Sequence, residues 1–180
     1  MRGTAVGMAT RLPCRRVADV GVSDDDRRYL RRCVELAREA LTDGDEPFGS
    51  VLVNSEGRSL FEDRNRVQGG NNTRHPELAI ALWAVDNLDP DERAAAIVYT
   101  SGEHCPMCAA AHAWVGLGRI VYVVSSAQFS SWLHEWGAPP SPVAGLSINT
   151  VAPELLVDGP AAEFEAEMKA LYSQKFGPST

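Results

Sequence analysis

Lysine is almost missing from this 180-residue sequence: Lys169 and Lys175 are its only two, both near the end. Acids outnumber all the cations, leaving a net charge of −7. The first 18 residues hold Arg2, Arg11, Arg15 and Arg16 and no acid, so residues 19–180 carry −11. A polynucleotide partner needs a basic face to neutralise phosphates, and an acidic body argues against one. Long apolar runs are also missing. No stretch reaches the roughly 18 apolar residues of a membrane span, and none follows the basic start as in a secretory leader. The expectation is a cytoplasmic protein without a membrane partner. Cysteine is scarce too: four residues are too few for a disulfide scaffold in a chain this long, and Cys105 and Cys108 form a tight pair. That spacing favours metal or redox chemistry over stapling.

What is there is enough for one core, with 44% hydrophobic and 23% charged residues. Residues 1–22 read as a poorly ordered extension outside the fold, with a transit peptide as the alternative; residues 23–180 read as a single domain. Ser23 followed by three aspartates resembles a capped helix start, and Leu30, Cys33, Val34, Ala37 and Leu41 recur at helical spacing. Phe48–Val53 and Arg58–Glu62 read as a hairpin turning at Asn54–Gly57. Leu78–Val85 is apolar on every side, which suits a helix buried between a sheet and another element. A strand at Ala96–Thr100, a second buried helix at Pro106–Leu117 and a strand at Arg119–Val124 continue a βαβ alternation, giving an α/β fold. Ala127–Trp136 reads as a helix, Ser147–Val151 as a last strand, and Phe164, Met168, Leu171 and Tyr172 as one face of a terminal helix.

Two helix starts carry the chemistry: His75-Pro76-Glu77, and Glu103-His104-Cys105-Pro106-Met107-Cys108, each after a loop beside a strand. One imidazole and two thiolates can hold zinc and leave a fourth position for water, the arrangement of a catalytic rather than a structural site. A helix N-terminus helps keep a cysteine deprotonated. Glu77, two residues past the histidine, is close enough to shuttle protons without being a ligand. Deamination needs a hydroxide nucleophile, a proton on a ring nitrogen and a proton on departing ammonia, and one carboxyl group can serve all three transfers.

The pattern H-x-E followed about thirty residues later by C-x-x-C resembles the zinc nucleobase deaminase signature. Pro47-Phe48-Gly49, Asn65, Asn72-Thr73-Arg74-His75, Tyr99-Thr100-Ser101 and Glu103 extend the likeness to the cytidine deaminase superfamily, on its guanine deaminase and tRNA adenosine deaminase branch. It covers residues 24–125 well and the rest poorly. The resemblance implies a three-layer α-β-α fold with a mixed five-stranded sheet, a Zn2+ cofactor, a homodimer, Asn65 bonded to the base and Phe48 walling the pocket. Residues 126–180 then form a divergent part that shapes the pocket. The family has proline where this chain has His104, which places a titratable ring near the pocket mouth, in contact with substrate or exposed on a loop. His112 and His134 read as packing residues, Cys14 as a tail thiol and Cys33 as a helix-core residue.

Two rivals remain at this point. Cys-Pro-Met-Cys between a strand and a helix also describes a thioredoxin-like site, though that leaves His75 and Glu77 without a role. A structural zinc module closed by a fourth ligand such as Cys33 is the other. Within the deaminase reading, the favoured substrate is a free nucleobase, guanine or a related base, followed by cytosine or a nucleoside; a tRNA adenosine is disfavoured by charge.

Overall fold

The structure is a computed structural model that describes residues 21–178, so the expectations for residues 1–20, Cys14 included, lie outside the described residues. The chain begins with α1 (Asp24–Thr42), capped as its sequence suggests: Ser23 Oγ accepts from the Asp26 amide, and Asp26 returns the bond. The hairpin β1 (Gly49–Val53) and β2 (Ser59–Arg64) turns at Gly57, which sits at φ +77°. Next come α2 (Pro76–Asn87), α3 (Pro90–Ala95), β3 (Ile97–Gly102), α4 (Pro106–Trp114) and β4 (Arg119–Val124). The last third holds α5 (Ser126–Glu135), α6 (Ile148–Val151), β5 (Val157–Asp158) and α7 (Glu165–Phe176).

The five strands lie in the order β2-β1-β3-β4-β5, antiparallel from β2 to β3 and parallel from β3 to β5. Strand alternation sorts the side chains into two layers. Val51, Val53, Tyr99, Val121 and Val123 pack against α1, α5 and α7. Leu52 and Val98 meet α2, while Ile120 and Tyr122 meet α4 and α6. This is the expected three-layer α-β-α architecture. Gly49 lets β1 lie directly on α1, since a Cβ there would come within 2.4 Å of Leu36 Cβ and 2.6 Å of the Cys33 carbonyl oxygen. The same register leaves Ser50 and Thr100 as buried partners on the face toward α2.

Four sequence readings need correction. Ser147–Val151 is a single helical turn, and the fifth strand follows it at Val157–Asp158, where pairing with β4 decides what propensity could not. Asp89 caps α3, a helix absent from the sequence reading. Helix α2 is not buried on all sides: Leu82 is 61% exposed and Val85 49%, and Trp114 of α4 stands 90% exposed. His134 is exposed on α5 and does not pack among the tryptophans.

The first turn of α1 is locked to the sheet by charge. Asp26 is buried and accepts from Ser23, from the Tyr99 hydroxyl at 2.7 Å and from both terminal nitrogens of Arg119 at 3.0 and 3.1 Å, while Arg119 also holds Asp158. Burial alone raises the Asp26 pKa, but the bonds from Arg119, Ser23 and Tyr99 outweigh it and hold the carboxyl below its ordinary value. The resulting stability is present above the unfolded pKa of about 4 and is lost as pH falls through the lower folded value. Asp26→Asn should therefore cost about 2–3 kcal/mol at neutral pH, a deficit that shrinks below about pH 4. Melting curves between pH 3 and 8 check this; a deficit independent of pH would contradict it.

Candidate active site

Helices α2 and α4 start side by side, and each start gives up its own cap. His75 and Cys105 occupy the two N-cap positions, yet neither side chain bonds its helix. Pro76 and Pro106 take the first helical positions, where the missing amide costs nothing. Both side chains turn to a common point that Cys108 reaches from one turn into α4. His75 Nδ1, Cys105 Sγ and Cys108 Sγ are mutually 3.6 Å apart. Tetrahedral zinc with Zn–S of about 2.3 Å and Zn–N of about 2.0 Å sets its ligands about 3.5–3.8 Å apart, so the donor set fits that ion in chemistry and in spacing. Among the described residues this is the cluster suited to a metal. Cys33 lies fully buried in the core of α1, outside the cluster, which removes the proposed fourth ligand.

Electrostatics divides the two sulfurs. A hydrogen bond from Cys108, assisted by His75, brings Cys105 down to about 4, and the Cys105 thiolate in turn pushes Cys108 up. The same thiolate raises His75 to about 9. A dication among the three donors reverses the penalty on the second sulfur, because two thiolates then offset its charge.

Glu77, the second residue of α2, is 6% exposed, with its two oxygens in different surroundings. Oε1 accepts from the Thr100 hydroxyl at 2.9 Å, and Ser50 donates to Thr100 at 2.9 Å. Oε2 faces Cys108 Sγ at 3.8 Å. Burial raises the Glu77 pKa above its ordinary value. Ser50 and Thr100 as anchors of this carboxylate were not singled out from sequence; the available signal was a serine inside an otherwise apolar strand.

The remaining candidates lie around this centre. Asn65 is buried, with its backbone amide on the Phe48 carbonyl. Its Oδ1 accepts from the Val67 amide at 3.1 Å, which leaves Nδ2 buried without a partner. Phe48 is half-buried against Phe129 and Tyr172, both from the part of the chain where the sequence likeness was weakest. Glu103 accepts from the Ser126 and Ile148 amides, tying the starts of α5 and α6 to the cysteine loop. His104 is 1% exposed, its ring set edge-on to His112 at 5.4 Å, so the exposed-loop alternative is wrong. Burial holds His104 neutral, and neither ring nitrogen has a protein partner. His112 is buried as expected, its Nε2 bonded to the Gly118 carbonyl oxygen.

A mixed sheet with helices on both faces, an N/S/S metal triad at two helix starts and a buried carboxylate beside it define a zinc-dependent hydrolytic deaminase. The chain belongs to the family described as the cytidine and deoxycytidylate deaminase zinc-binding region, which it matches over residues 23–124. It is 30% identical over 148 residues to a probable cytosine deaminase of Schizosaccharomyces pombe, covering 81% of this chain and 90% of that protein. Over 96 residues it is 35% identical to the guanine deaminase of Bacillus subtilis, covering 52% of this chain and 61% of that one. A tRNA-specific adenosine deaminase of Agrobacterium fabrum is 34% identical over 95 residues, covering 52% of this chain and 62% of that protein. In fold, the guanine deaminase of Nitrosomonas europaea superposes with a TM-score of 0.62 over 94% of this chain and 96% of that chain, at 19% identity. The thioredoxin-like rival is excluded by this membership.

If the triad is the metal site, Cys105→Ala or Cys108→Ala should reduce bound zinc from about one per chain to a small fraction, because two remaining donors hold the ion poorly. Elemental analysis of the purified variants measures it. Full occupancy in either variant would mean that the ligands are other residues.

Proposed function

We propose that this deaminase acts on a free nucleobase, guanine or a related aminated heterocycle, and that Glu77 moves every proton in the reaction. The observation that supports the proton role is the division of the Glu77 carboxylate, with Oε1 anchored by Thr100 and Oε2 turned toward the triad. His75, Cys105 and Cys108 would hold the zinc, which would supply a water of lowered pKa. Glu77 takes the proton from that water as the oxygen attacks the amine-bearing ring carbon, and hands it to the adjacent ring nitrogen. It then takes the remaining proton from the new hydroxyl and delivers it to the amino group; the C–N bond breaks, ammonia leaves and the carbon becomes a carbonyl. Asn65 Nδ2 donates to an acceptor on the base, Phe48 supplies the apolar wall, and His104, with both nitrogens open, is a third candidate contact.

Charge supports a small substrate. Arg27, Arg31, Arg32, Arg38, Arg64, Arg66 and Arg119 each already meet a carboxylate. Among the described residues this leaves Arg28, Arg58, Arg74, Arg93 and Lys175 without a carboxylate, a scattered set for an anticodon loop's phosphates. In an ammonia-release assay, free guanine or cytosine should be turned over far faster than a tRNA anticodon stem-loop, and Glu77→Gln should keep its zinc while losing about 100-fold or more in turnover. Preference for the stem-loop, or near-normal turnover by the variant, would overturn the corresponding half of the proposal.

The proposal extends to a homodimer. Leu82 and Val85 on α2 and Trp114 on α4 stand exposed on the face of the layer that turns away from the sheet. Such a surface suits association with a second copy. Trp114→Glu together with Leu82→Glu should convert a dimer to a monomer in light scattering; a wild-type monomer would contradict the proposal.

A further inference from the structure

Three buried side chains among the described residues have polar atoms without partners: Asn65 at Nδ2, His104 at both ring nitrogens and Tyr172 at Oη. Tyr172 lies on α7, far along the chain from the metal motifs and fully buried. Its ring is held by Phe48, Phe129 and Trp132, with centroids 5.2, 4.7 and 6.2 Å away. Its hydroxyl ends beside Gly102, the last residue of β3: a Cβ at Gly102 would lie 3.0 Å from Tyr172 Oη and 2.9 Å from Phe48 Cε1. Gly102 leads directly into Glu103-His104-Cys105, and its carbonyl lies 3.0 Å from the Thr100 hydroxyl that anchors Glu77.

A buried hydroxyl without a partner is destabilising, and phenylalanine would fill the same aromatic slot without that cost. A phenol kept there and aimed at the reacting end of the fold calls for a ligand that completes it. We infer that Tyr172 is a specificity-determining residue whose hydroxyl hydrogen-bonds a heteroatom of the bound heterocycle beside Phe48, so that α7 helps choose the substrate. The inference rests on the nucleobase reading above. Asn65, whose backbone amide bonds the Phe48 carbonyl and whose side-chain oxygen is occupied by Val67, offers a donor. Tyr172 offers either a donor or an acceptor, and together they read two heteroatoms of one ring.

The test is Tyr172→Phe in the zinc-loaded full chain, with three readouts. Without ligand, the variant should melt at or above the wild-type temperature, because it removes an unpartnered hydroxyl. In turnover, kcat/KM for the best base should fall about 10-fold or more, and the preference for that base over the rest of the panel should narrow. By calorimetry, binding of 8-azaguanine or cytosine, whichever the wild type binds more tightly, should weaken by about the same factor. A lower melting temperature would show that the hydroxyl serves the fold through a structural water. Unchanged affinity and unchanged discrimination would also overturn the inference. Wild-type binding of a probe without ammonia release from any base would refute the nucleobase reaction, while the affinity comparison still decides the role of Tyr172. Failure of the wild type to bind either probe would overturn both.

Discussion

The site depends on one juxtaposition, the side-by-side start of α2 and α4 on the same face of the sheet. Each helix begins where its strand-linked loop ends, and each surrenders its N-cap side chain to a shared point. His75 and Cys105 could have satisfied orphan helix amides; turned instead toward each other and Cys108, they leave those ends to the prolines and to local backbone bonds. This arrangement couples metal binding to packing, because Cys108 also belongs to the buried face of α4 and Glu77 to that of α2. Three donors fixed at two rigid helix starts would hold a metal with its fourth direction open better than loops can.

Around that point the structure arranges successive supports. The sheet supplies Thr100, which donates to the Glu77 carboxylate, and its register partner Ser50, which donates to Thr100. Glu103 then secures the cysteine loop to the starts of α5 and α6 through two backbone amides. Farther out, Asp26 and Arg119 hold α1 to the parallel half of the sheet, and the aromatic group of Phe48, Phe129 and Tyr172 joins the hairpin to the C-terminal helices. The metal motifs lie within residues 75–108, but the aromatic side chains grouped beside Gly102 come from Phe48 before them and from Phe129 and Tyr172 after them.

Much of this was legible in the sequence because it is local. The capped start of α1, the hairpin turn at Gly57 and the two H-P-E and C-P-M-C helix starts are short patterns with direct physical causes. What was missed depends on contacts between distant segments. β5 is two residues long and exists because β4 offers it an edge; Ser147–Val151 has strand-like composition but closes a helical turn. His104 could be placed beside the cysteines by number, but not turned inward onto His112 without knowing how α4 packs. Tyr172 was recognised as part of an apolar helical face, and only its position against Gly102 and Phe48 reveals that the hydroxyl has no partner there. Leu82, Val85 and Trp114 show the converse, an apolar periodicity that signals burial in sequence and is exposed in the single chain.

X-ray absorption at the zinc edge of the purified, metal-loaded protein tests the central claim most directly, because it counts and identifies the donors. The account predicts two sulfurs at about 2.3 Å and two lighter donors at about 2.0 Å, one from His75 and one from solvent that an added base perturbs. Three or four sulfur donors, or a first shell that no base alters, would contradict it.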